Sequence, residues 1–176
     1  MRTVYRLGQG LRALAAQLLP VRIDTEAAAA HLSPPLFALF MRLKRSEQLH
    51  ALRVLRAVQR HADPAPPALA AAALLHDVGK TCYPVSLAGK TLPVLVRAAA
   101  PALAQRLSAG DPRHPLVRPF VVYVHHPRWS GDLLTAAGAD ADTVWLAAHH
   151  ADSPAQWRDH PLYPLLIRLQ HADDTH

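Results

Sequence analysis

The run Leu69-Ala70-Ala71-Ala72-Ala73-Leu74-Leu75, followed at once by His76-Asp77-Val78-Gly79-Lys80, constrains this chain more than any other stretch. Consecutive Leu and Ala residues are strong helix formers, and a helix that is apolar all round has to be buried. Gly79 is placed to end that helix as its C′ residue. His76 and Asp77 therefore fall in the last turn of a buried helix. An imidazole and a carboxylate need partners there, because an unpaired buried charge is costly. Neighbouring helical residues point about 100° apart, so the pair can face one divalent metal together, with Asp77 reaching toward a second. A histidine bonded to the adjacent aspartate accounts for the same residues without a metal.

Two further stretches join this one. A histidine lies upstream in Ser46-Glu47-Gln48-Leu49-His50-Ala51-Leu52, and an aspartate lies downstream in Leu169-Gln170-His171-Ala172-Asp173-Asp174. The ordered set, with Gly-Lys after the His-Asp pair, resembles the H…HD…D signature of the HD-domain metal phosphohydrolases over residues 46–174. The resemblance implies an all-α fold: a single compact HD-domain helical bundle at 46–176, with residues 1–45 as an N-terminal helical extension packed on it. It implies that His50, His76, Asp77 and Asp173 form one metal site. Asp77 would bridge to a second site built from His126 and His149, with His150 as a further candidate.

The second site rests on its own block. His125-His126-Pro127, Gly131-Asp132-Leu133-Leu134 and Ala137-Gly138 resemble the "His-Pro-x-x-Gly" stretch of the HD-GYP branch, with His149 and His150 about twenty residues on. The spacing from His126 to Gly131 departs by one residue, which leaves His125 open beside His126; His126 is preferred because it directly precedes the proline. The branch's glutamate and Gly-Tyr-Pro are missing, since Ala151-Asp152-Ser153-Pro154 follows the histidine pair. A full cyclic-di-GMP phosphodiesterase of that branch is not expected.

The implied activity is hydrolysis of a phosphate ester, as a phosphomonoesterase or phosphodiesterase, through a metal-activated hydroxide. The substrate would be a nucleotide, a cyclic nucleotide or a similar small phosphoester. Imidazole and carboxylate ligands suit one or two ions of Mn, Fe, Zn, Co or Ni, and Mg less well. Asp77 and Lys80 would be catalytic, with Lys80 holding a non-bridging phosphate oxygen as a point charge. His150 would protonate the leaving alkoxide where it is not itself a ligand. The rival within the same family is a catalytically silent HD domain that senses a metal or a nucleotide.

Helical phase supports one ligand independently. Asp173 lies at i+4 from Leu169, i+7 from Leu166 and i+11 from Leu162, a carboxylate on an apolar face. Asp174 falls on the less apolar bearing of Ile167 and Gln170. His50 shares a face with Val54 and Ala57.

Composition bears on partners and compartment. The net charge of +6 favours anionic partners, although sixteen of the nineteen cations are Arg, as in an ordinary solvated basic surface. A nucleic-acid reader is disfavoured, because no reading helix or aromatic platform is evident. The single cysteine, Cys82, reads as a small core residue and permits no intrachain disulfide. No apolar run reaches the ~20 residues of a membrane span, and Gln9, Arg12 and Gln17 interrupt any signal-peptide core. These features predict a cytoplasmic protein, with no signal for an oligomeric state.

Along the chain, Val4, Leu7, Leu11, Leu14 and Leu18 predict an amphipathic N-terminal helix. Ser46 should cap a helix running to about His61. Thr81 to Lys90 reads as loop, and Thr91 to Ser108 as a helix kinked at Pro101. Leu116 to His125 reads as a buried helix, and Gly131 to Ala137 as a separate short one. The last helix should run from about His160 to Asp173.

Overall fold

The computed structural model describes residues 22–176. The predicted amphipathic segment from Val4 to Leu18 lies outside them. Every regular element among the described residues is helical: α1 Thr25–Ala29, α2 Pro34–Arg42, α3 Arg45–Gln59, α4 Pro67–Leu75, α5 Leu87–Ala99, α6 Pro101–Ser108, α7 Arg118–Ala136, α8 Ala141–His149 and α9 Tyr163–Thr175, with 3-10 turns at Val78–Thr81 and Pro154–Trp157. None of these helices is long and apolar enough to cross a membrane.

Helix α4 is the axis of the fold. Pro67 sits in its first turn, where a missing N–H costs nothing. Leu69 to Leu75 are all buried, as an alanine-leucine helix without a polar face requires. Helices α2, α3, α8 and α9 pack around it. Leu52, Leu55, Leu146, Leu166 and Leu169 fill the space between them, each at 2% exposure or less. Leu36, Phe40 and Leu43 belong to the same core cluster. Helices α5 and α6 lean on α7 instead.

Several boundaries differ from the sequence reading, each for a physical reason. The expected helix before His125 and the short one from Gly131 are a single helix, α7, which runs through Pro127. Proline removes the N–H that would bond the Tyr123 carbonyl. The ring of His126 turns back over that gap, with Nδ1 3.1 Å from Tyr123 O and 2.9 Å from Val122 O. The 91–108 helix is two helices, broken at Ala100 with Pro101 opening α6. Helix α5 starts before the predicted loop ends, because Ser86 Oγ accepts the Gly89 N–H at 3.2 Å and caps it. Lys44 rather than Ser46 is the cap of α3, and Glu47 Oε2 accepts the Lys44 N–H at 2.9 Å. Cys82 is exposed, not a core residue. Helix α9 begins at Tyr163, three residues after the expected start.

Candidate metal centre

Three histidines acquire their orientation from carbonyls that the helices leave unpaired. His76 is the C-cap of α4 and His150 the C-cap of α8. The last carbonyls of a helix have no intrahelical donor. His76 Nδ1 lies 3.1 Å from Ala73 O, and His150 Nδ1 lies 2.8 Å from Ala147 O, each three residues back. His126 does the same over the gap made by Pro127. A ring that donates from Nδ1 must present its Nε2 lone pair on the other side.

All three Nε2 atoms turn toward carboxylates. Asp77 Oδ1 is 3.2 Å from His126 Nε2 and 3.7 Å from His150 Nε2, while Asp77 Oδ2 is 3.7 Å from His76 Nε2. The two oxygens of one carboxylate thus face two different histidine groups. Asp173, delivered by the Leu166–Leu169 face of α9, places Oδ1 2.9 Å from His50 Nε2 and 3.6 Å from His76 Nε2. Asp174 is exposed. His76 Nε2 is buried and makes no hydrogen bond; its carboxylate neighbours at 3.6 and 3.7 Å stand beyond hydrogen-bond reach. A buried ring nitrogen with no hydrogen-bond partner, set between two carboxylates, is a position that a cation would satisfy. His50, His76 and Asp77, then His76, His150 and Asp173, then Asp77, His126 and His150 form overlapping groups whose ligand atoms lie within 4.8 Å of one another, and each could hold a metal ion.

His149 does not join these groups. Its Nδ1 lies 2.7 Å from Asp152 Oδ2, and its ring packs between Trp145 and Trp157, with centroids at 4.8 and 4.3 Å. His150, rather than the His149 of the sequence reading, turns its ring toward Asp77, and it follows the buried Thr143, Leu146 and Ala147 on the inner face of α8. His125 also turns away, with Nε2 3.3 Å from Ser108 O.

The turn that carries the His-Asp pair is locked to α7. Gly79 has no left-handed conformation; among the described residues only Gly138 does, at φ 77°. The expectation that Gly79 ends α4 as its C′ residue is therefore corrected: α4 ends at Leu75 with His76 as its C-cap, and glycine is needed at 79 for close approach. A Cβ at Gly79 would lie 2.1 Å from His126 O and 2.7 Å from Ser130 N. Ser130, fully buried, accepts the Gly79 N–H at 2.9 Å and donates to His76 O at 2.6 Å. The sequence reading missed Ser130. Its signal was a serine one turn after His126 on the same helix.

The electrostatics follow from these contacts. Burial would raise Asp77, but Lys80, with Nζ 2.5 Å from Oδ2, and His76 outweigh it and hold the carboxyl well below its ordinary range. Asp173 is likewise held low, His50 and His76 overcoming its burial. His76 is the reverse: burial depresses it, but the field of Asp77 and then Asp173 leaves it raised. Burial lowers His126, and burial with the neighbouring His76 and His126 takes His150 down to about 3. A ring so depressed offers a lone pair at neutral pH, not a proton.

These shifts set a pH dependence for the metal-free protein. His126 and His150 are held below their unfolded value of 6.5, so their contribution is present above pH 6.5 and is lost as pH falls toward the folded values. His76, being raised, acts oppositely and only above pH 6.5. The thermal midpoint measured with chelator present should therefore drop between pH 6.5 and about pH 4.5, before Asp77 and Asp173 begin to protonate. A midpoint that is flat or rising over that interval would contradict the neutral assignment of the two rings.

The cluster forms part of the lining of a cleft of about 1140 Å³, which Lys80, Tyr123, His149 and Asp152 also line. The arrangement supplies buried nitrogen and oxygen ligands beside an open, cation-bearing space. Comparison with known protein families, with curated proteins and with solved structures returns no match.

Proposed function

We propose that the chain is a metal-dependent phosphohydrolase of the HD-domain kind, acting on a small phosphorylated substrate such as a nucleotide. The observation that carries this reading is the convergence of His76, His126 and His150 Nε2 on Asp77 and Asp173, with His76 Nε2 buried and unsatisfied. His50, His76, Asp77 and Asp173 would hold one ion, and Asp77, His126 and His150 a second, drawn from Mn, Fe, Zn, Co or Ni. When bound, such ions acidify water and neutralise the phosphoryl oxygens. The chain's own residues do the rest. The Nδ1–carbonyl bonds hold each ring in one tautomer. Asp77 serves both halves with its two oxygens. Lys80 spends one of its three donors on Asp77 Oδ2 and keeps the others for a non-bridging phosphate oxygen. His150 takes the ligand place rather than the proton-donor role, because its Nδ1 is committed to Ala147 O.

Activity is tested on p-nitrophenyl phosphate, its bis ester and a nucleotide panel. Turnover should vanish with chelator and return with added transition metal. Metal-loaded protein that is silent on the whole panel would favour the sensor reading. The role of the paired histidines is checked separately. His150→Ala should lower bound metal by about one equivalent, whereas His149→Ala should retain the wild-type metal content. The opposite pattern would return the second site to His149.

A further inference from the structure

Helix α5 contributes its own chemistry to the cleft. Lys90, Val94 and Arg97 line it, and their i, i+4, i+7 spacing puts them on one face. Lys90 and Arg97 lie about 10 Å apart along the helix axis, seven residues at the α-helical rise. Each cation is arranged differently. Lys90 Nζ lies 2.6 Å from Oε1 of Glu47, whose side chain is nearly buried and whose Oε2 takes the Lys44 N–H at 2.9 Å. Glu47 thus tethers Lys90 as Asp77 tethers Lys80. An ammonium has three donors, so Lys90, a third exposed, keeps two for the cleft. The Arg97 guanidinium is exposed in the last turn of α5 and makes no hydrogen bond or ion pair with any described residue. The space beside them is far larger than one phosphate group needs. A reaction at the Asp77 cluster needs only Lys80 as a cationic grip and leaves the α5 pair without a task.

We infer that Lys90 and Arg97 form an outer anion subsite, so that the substrate is a phosphoester carrying a second anionic group, such as another phosphate, beside the one that is cleaved. The inference rests on the phosphohydrolase reading of the inner site. Arginine suits the outermost position, since its planar fork pairs two phosphate oxygens at once. Lysine, held by Glu47, serves as a fixed point charge beside it in the cleft.

The test is calorimetric binding to the metal-loaded full chain, using adenosine monophosphate against adenosine diphosphate and inorganic phosphate against tripolyphosphate. The ligand with more than one phosphate should bind roughly tenfold or more tightly than its single-phosphate counterpart, the worth of a charge-assisted contact. Arg97→Met and Lys90→Met should each remove most of that preference, and Arg60→Met, exposed at the end of α3 and outside the cleft, should retain it. If Lys90→Met fails to fold because Glu47 loses its partner, Arg97→Met alone decides. Equal affinity for the two kinds of ligand in wild type, or an intact preference in Arg97→Met, overturns the subsite. Turnover of p-nitrophenyl phosphate is followed in parallel. Preference without turnover would count against the hydrolase and leave the subsite standing, whereas turnover without preference would overturn the subsite alone.

Discussion

Asp77→Asn should stop phosphate-ester turnover while leaving the fold in place. The carboxylate addresses His126 and His150 through Oδ1 and His76 and Lys80 through Oδ2. Asparagine keeps the volume but replaces one anionic oxygen with an NH2 donor. If the NH2 faces His126 Nε2, it makes a good hydrogen bond to the lone pair that would otherwise face the metal. If it faces Lys80, two donors meet and the ammonium swings into the cleft, to which it is already partly open. Either way the metal-free protein remains packed, and the anion shared between His76 and the His126–His150 pair is gone. The expected loss is on the order of a thousandfold in kcat/KM, about 4 kcal/mol of barrier, with the far-ultraviolet helix signal unchanged. Steady-state kinetics on protein verified as folded checks this. Activity within about tenfold of wild type would remove Asp77 from the reaction.

Gly79→Ala should be the most damaging added methyl among the described glycines. Its Cβ would meet backbone, the His126 carbonyl at 2.1 Å and the Ser130 nitrogen at 2.7 Å, so no side chain can yield to make room. The turn must move away from α7. That breaks the Gly79–Ser130–His76 hydrogen-bond relay and separates Asp77 from His126. Overpacking of this kind costs about 3 kcal/mol or more, and here it also pulls apart the two halves of the cluster. Chemical denaturation should show the midpoint shifted down, and metal retention should fall with it. Near-wild-type stability would mean that α7 can slide past the turn. Ser130→Ala is the milder companion: it leaves Gly79 N and His76 O without their shared partner but adds no bulk.

How much of this was legible in the sequence depended on whether the signal was local. The buried α4 with its His-Asp end was legible, because an alanine-leucine run has one physical fate. Asp173 was legible from phase, since Leu162, Leu166 and Leu169 fix the inner face of α9 and place the aspartate beside His50. The same phase test applied to α8 would have chosen His150, which follows Thr143, Leu146 and Ala147 at i+7, i+4 and i+3. His149 instead follows Trp145 and packs on it. The continuity of α7 was not legible, because proline reads as a breaker unless one knows that the preceding histidine fills the gap. The need for glycine at 79 was visible, but its cause was tertiary: a backbone from fifty residues away passes where a Cβ would be. Ser130 and Glu47 were hidden for the same reason, each being a polar residue whose partner lies on another element or cap.

The central claim is that the His76–Asp77 cluster holds a divalent metal, and elemental analysis tests it most directly. Protein stripped with chelator, reloaded with transition metal and exhaustively dialysed should retain one or two ions per chain. His76→Gln should retain markedly less, because it removes the buried Nε2 that has no other partner. Wild-type protein that retains no metal, or the same content in wild type and His76→Gln, would contradict the account.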